Sequence, residues 1–151
     1  MADLKERLQA DMVVAMKERE AGKERLAVIR LVRSGIKDRE INTKTTVDDA
    51  GVIEIIMREI KQRREVIPDY EKANRPEVVE RLQNEILILE NYLPQQLSED
   101  ALRAIIVSTI ASVHAHDLKD LGKVMGALMP RVKGQAEGAL INRIVREELA
   151  N

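Results

Sequence analysis

The chain has 151 residues, 44% hydrophobic and 34% charged, with a formal net charge of -1. That is room for one domain or two small ones, without a global field that would draw the protein to nucleic acid. Cysteine is absent, which excludes disulfides, thiolate zinc sites and cysteine nucleophiles and fits a reducing compartment. Phe and Trp are also absent, so Tyr70 and Tyr92 are the aromatic complement; the core must come from Leu, Ile, Val, Met and Ala, and a platform for stacking unpaired bases is excluded.

The opening Met-Ala-Asp-Leu-Lys-Glu-Arg carries charges where a signal peptide needs an apolar run, and no apolar stretch approaches the roughly 20 residues that span a bilayer. A cytoplasmic protein without membrane partners is expected. The first helix is expected over residues 3–21, with Leu4, Leu8, Met12 and Met16 on one face and Gly22 ending it as a C′ glycine. Leu26, Ile29, Val32 and Ile36 mark a second helix that fades through Asn42 to Thr46. Asp48 can cap a third, striped by Val52, Ile56, Ile60 and Ile67, which Pro68 should kink or end. Pro76 suits the first position of a fourth helix carrying Val79, Leu82, Ile86 and Leu89.

The strongest break is Leu93 to Ser98, where Pro94 stops the fourth helix and Ser98, followed by Glu99 and Asp100, caps the fifth. It predicts an N-terminal lobe over 1–93, a linker over 94–97 and a three-helix lobe over 98–151. The fifth helix should run to about Val113, and Asp120 should cap a sixth that ends near Lys133-Gly134. A seventh should run from about Gln135 to Leu149. The fold class is therefore all-α: two lobes, seven helices and no sheet.

No catalytic centre can be read from the chain. His114 and His116 stand two apart at a helix end and read as exposed turn residues. Ser34 with Lys37 and Ser112 with His116 lack an orienting third group, and no phosphate-binding Gly-x-x-x-x-Gly-Lys loop or Gly-x-Ser-x-Gly elbow is present. Neither catalytic residues, metal ligands nor a cofactor are assigned.

Charge is unevenly distributed. Residues 1–47 hold 11 basic against 8 acidic side chains, residues 48–97 hold 7 against 11, and residues 98–151 hold 7 of each. Within the last lobe, residues 118–146 carry Lys119, Lys123, Arg131, Lys133, Arg143 and Arg146 against Asp120 and Glu137. The same stretch holds four of the seven glycines. Gly122 and Gly126 share a helical face at about 1 kcal/mol each in propensity, which implies either close helix packing or close approach of a ligand. Gly134 should end the sixth helix and leave the free N–H groups of the seventh as a phosphate seat flanked by Arg131 and Lys133.

The run from Gly122 to Asn142, with its Val-Met-Gly, Leu-Met-Pro and Lys-Gly-x-Ala-x-Gly elements, resembles the tail domain of the GatB/YqeY family. Lys61 to Glu65, Tyr70 to Arg75 and Leu89 to Ser98 extend the likeness over nearly the whole chain, which looks most like the small stand-alone YqeY-like proteins. Pro68 departs from the expected helical pattern. The resemblance implies an all-helical protein with a larger N-terminal lobe, and a C-terminal lobe related to a domain that grips the outer corner of tRNA. The family's carbon–nitrogen ligase label, with glutamine as amido donor, belongs to machinery that this chain does not carry. The leading expectation is a non-catalytic module for tRNA or other structured RNA, with contacts from Lys119, Lys123, Gly126, Arg131, Lys133, Gly134, Arg143 and Arg146. The alternatives are a protein-interaction module on an aminoacylation or amidation complex, and an amide-transfer enzyme.

Overall fold

The computed structural model describes residues 3–151, and among them every regular element is helical. Seven α-helices follow in order: α1 (Leu4–Lys17), α2 (Lys23–Thr43), α3 (Asp49–Lys72), α4 (Pro76–Glu90), α5 (Glu99–Ser112), α6 (Leu121–Val132) and α7 (Gly138–Ala150). Short 3-10 turns at Arg19–Gly22 and Leu118–Asp120 lead into α2 and α6. No helix among the described residues is long and apolar enough to cross a membrane. The chain divides into two compact units, Met1–Leu93 and Pro94–Asn151.

In the first unit, α3 packs on α4 and α1 on α2. The core is aliphatic: Leu8, Ile29, Val32, Val52, Ile56, Ile60 and Leu89 are all essentially inaccessible. Each such side chain contributes about 1.5–3 kcal/mol on burial. Asp3 caps α1 by accepting from the Glu6 N–H at 2.8 Å, and Asp49 in the first turn of α3 accepts from the Leu4 N–H at 3.0 Å. Asp48 caps α3 as expected, accepting from the Gly51 N–H at 2.9 Å. Tyr92 is buried beneath the Arg7 guanidinium, 5.2 Å from the ring centre, and its hydroxyl donates to Asp11. Burial, reinforced by the Asp11 carboxylate, pushes the Tyr92 phenol pKa up.

The second unit is a three-helix assembly in which α5 meets both α6 and α7. Leu102, Ile106, Val124, Leu128, Val132, Ile141, Ile144 and Val145 fill its core. Ser98 caps α5 by accepting from the Ala101 N–H at 3.1 Å. Residues 94–97 are held to this unit by hydrogen bonds of their own: the Leu97 N–H donates to the Gln135 carbonyl at 2.8 Å, and the Gln96 amide to the Gly134 carbonyl at 2.7 Å.

Several helix ends differ from the sequence expectation. Pro68 neither ends nor interrupts α3, which runs on to Lys72; the ring removes one N–H, and the helix absorbs the loss on an exposed face. Gly22 does not end α1 with a left-handed residue, since its φ is -97°. It is needed for proximity: a Cβ there would lie 2.9 Å from the Ala15 Cα and closer still to the Ala15 carbonyl oxygen. Left-handed residues do end α2, α3 and α5, but they are Lys44, Asn74 and His114, with φ of 57°, 56° and 55°. His114 thus serves as a helix terminator, with the Ala115 N–H returning to the Ile110 carbonyl at 3.1 Å. Asp120 stands at the start of α6, but its carboxylate turns back to the His116 N–H at 2.8 Å instead of capping the helix.

The Gly22 contact is with backbone, so it cannot be relieved by a rotamer change. Gly22→Ala should destabilise the protein by about 2 kcal/mol, within the usual range for overpacking. Chemical denaturation followed by circular dichroism checks this; unchanged stability would show that the α1–α2 connection yields freely.

Candidate nucleic-acid interface

The inward face of α6 is a row of branched side chains at a spacing of four, Val124, Leu128 and Val132, all fully buried. The outward face holds Gly122, Lys123, Gly126, Met129 and Pro130, all exposed. A Cβ built on Gly122 or Gly126 would meet nothing within 4 Å, and the same holds for Gly138 at the start of α7. Close packing of a second helix of this chain is therefore not what Gly122 and Gly126 serve. They leave a strip of bare backbone on the surface, with Lys123 between them in sequence and Lys119 one turn before.

The cations expected from the sequence stand in different electrostatic settings. Lys119 and Lys123 are exposed and form no ion pair among the described residues. Asp120, between them, is held below the usual carboxylate range, first by the His116 N–H it accepts and also by nearby Lys123. Arg131 is exposed and gives one N–H to the hydroxyl of buried Thr109 at 2.7 Å, which leaves its charge without a carboxylate. Thr109 donates in turn to the Ile105 carbonyl at 2.8 Å, so the arginine is anchored to the core of α5. Lys133 is the exposed C-cap of α6, and Arg146 donates to the Asn142 side chain at 2.7 Å.

Arg143 belongs to a different arrangement. It donates to Glu147 at 2.8 Å and pairs with Glu99. Arg103 lies between the same groups, reaching Glu147 at 2.9 Å and Glu148 at 2.7 Å. These charges tie α5 to α7, so the Arg143 charge is largely answered within the protein. Glu148 and Glu147 raise the Arg103 pKa, and Arg103 followed by Arg143 lowers that of Glu147.

Two expectations about the corner after α6 need correction. The helix α7 begins at Gly138, not near Gln135, with Glu137 at its N-cap. Residues 135–137 are extended or turning chain, and the Gln135 N–H is already spent on the Val132 carbonyl at 2.9 Å. The free N–H groups of α7 thus lie several residues beyond the seat expected between Arg131 and Lys133. Gly134 adopts the left-handed conformation that a terminating glycine permits, with φ 77°, but it is buried. It shapes the corner from within. The open glycines of α6 are the backbone that a ligand could approach. No group of three or more His, Asp or Glu side chains suited to a metal occurs among the described residues.

The open face of α6 can be checked by stability. Gly126→Ala should stabilise the protein by up to about 1 kcal/mol, because helix propensity is gained and nothing is crowded; a lower unfolding midpoint would refute the open-face reading. The α5–α7 charges can be checked by pH. Glu147 titrates below the ordinary carboxylate range, so its pairing stabilises the fold above that range, and the contribution is lost as pH falls through the folded-state value. An NMR titration of the Glu147 carboxyl should show the depressed midpoint, and Arg103→Ala should move it back upward.

Comparison with known proteins gives both units a context. A family model described as Yqey-like protein matches residues 5–149. Altered inheritance of mitochondria protein 41, mitochondrial, of Pyrenophora tritici-repentis is 26% identical over 132 residues, which is 86% of this chain and 71% of that protein. Its namesake in Lachancea thermotolerans is 38% identical over 72 residues, covering 47% of this chain and 38% of the relative. One component of the aspartyl/glutamyl-tRNA(Asn/Gln) amidotransferase of Thermus thermophilus, its GatB polypeptide, is 33% identical over 95 residues, covering 58% of this chain and 20% of that polypeptide.

Proposed function

The chain belongs to the Yqey-like protein family, and on that premise we propose that it is a binding module for structured RNA, tRNA foremost, that contributes no chemistry of its own. The observation that carries this reading is the outer face of α6, where open glycine backbone lies beside lysines that no carboxylate of the described residues pairs. The relationship to a component of a tRNA-dependent amidotransferase supplies the class of ligand. In this reading Lys119, Lys123, Arg131 and Arg146 take phosphates, with Lys133 at the end of α6. Gly122 and Gly126 admit a sugar–phosphate strand close to the helix. Gly134 acts by shaping the corner and Arg143 by bracing α7. Recognition is by the shape of the RNA, because aromatic side chains for base stacking are lacking on this unit.

Phosphate contacts by Lys and Arg release counterions, so affinity should fall steeply with salt. Four contacts correspond to a log–log slope of about -3. Replacing Lys119 and Lys123 together with Ala should flatten the slope by about two contacts' worth and leave the melting temperature unchanged, since both side chains are exposed. Fluorescence anisotropy with labelled tRNA over a salt series measures this. Wild-type affinity no greater or more salt-sensitive than that of an acidic control protein would sink the RNA reading.

A further inference from the structure

The first unit holds a groove of about 640 Å³ whose walls come from α1 and α2. Its floor includes Leu8 and Ile36, both buried, and its charged lining is Lys5, Arg30, Arg33 and Lys37 against the single carboxylate of Glu40. Glu40 is already engaged: it pairs with Lys5 and accepts the Val47 N–H at 2.8 Å. The remaining three cations have no such answer.

Arg33 is the informative one. It is half-buried, and its one partner is the thioether of Met12, at 2.8 Å. A thioether is a weak, neutral acceptor. Other partly buried arginines of this protein are treated differently: Arg63 is bound by Glu59 and Glu85, each at 3.0 Å, and Arg103 by Glu147 and Glu148. Arg30 and Lys37 form no ion pair among the described residues and flank Arg33 on α2. Arg30, Ser34 and Lys37 recur at helical spacing along one face, and seven residues of helix span about 10 Å. That reach suits two or more linked anionic groups better than one carboxylate.

We propose that this groove binds a ligand carrying two or more phosphoryl groups. Arg30 and Arg33 present planar forks that match phosphoryl oxygens, Lys37 adds a point charge at the far end, and the Ser34 hydroxyl donates between them. The aliphatic floor excludes water from one side of the site. With no aromatic lining, affinity rests on the phosphates and not on a base. The site lies in a different unit from α6 and does not depend on the RNA reading.

The test is calorimetric titration of the full chain with pyrophosphate at constant ionic strength, with sulfate as the comparison anion. Saturable one-to-one binding, tighter than sulfate, is expected. Arg33→Gln and Arg30→Gln should each weaken it at least tenfold, and Arg33→Lys should weaken it less than Arg33→Gln. Lys61→Gln, at an exposed position outside the groove, and the paired Lys119→Ala and Lys123→Ala changes should leave it unaltered. Arg30 and Lys37 are exposed, so their variants carry the test if Arg33→Gln fails to fold. A duplex RNA that displaces pyrophosphate identifies a polynucleotide backbone as the source of the phosphates. A duplex that does not displace it identifies a free polyphosphorylated ligand, and either result upholds the site. Absence of saturable binding to the wild type, or an equal loss in Lys61→Gln, overturns it.

Discussion

Burial of short branched aliphatic side chains is the constraint on which the rest of this structure depends. Without Phe or Trp, no large ring can fill the space between helices, so each helix contributes a narrow row of Ile, Leu or Val. Val52, Ile56 and Ile60 form such a row on α3, Val78, Leu82 and Ile86 on α4, and Val124, Leu128 and Val132 on α6. Rows at a spacing of four occupy only one side of a helix. The outward sides are left free for charge, and on α6 even for bare backbone. The two surfaces to which we assign binding, the outer face of α6 and the groove walled by α1 and α2, use side chains that the cores do not require.

The glycines divide by the same logic. Gly22 is fixed by the Ala15 backbone, and Gly134 by its left-handed conformation inside the second unit. Both are structural necessities. Gly122 and Gly126 are neither crowded nor left-handed, and they lower helix stability without an internal return. Residues that weaken a fold while leaving a surface open are those for which a partner outside the chain is the natural explanation.

Helix number, helix type and the aliphatic rows were legible in the sequence because they depend on periodicity, which is local. So were the caps at Asp48 and Ser98, where one side chain reaches an N–H three residues on. What depended on distant partners was not. The Gly22 requirement comes from a carbonyl seven residues back that only a folded α1–α2 connection brings near. Glu99, which helps to hold Arg143, is 44 positions away, and Glu147 falls one residue past the window in which the basic cluster was counted. The left-handed Lys44 and His114 are residue types with no preference for that conformation strong enough to read. The late start of α7 follows from tertiary pairing: Gln135 and Gly134 offer their carbonyls to Leu97 and Gln96, which keeps that stretch extended.

That pairing bears on how the second unit can be handed from one protein to another. The peptide before its first helix is a latch, with Leu97 and Gln96 closing over the α6–α7 corner. Any gene rearrangement that transplants this three-helix unit must therefore carry the latch along. A fusion joined at the helix cap itself would deliver three helices with two corner carbonyls left unbonded. The inheritable module is longer than its helices, and its natural seam lies at Pro94.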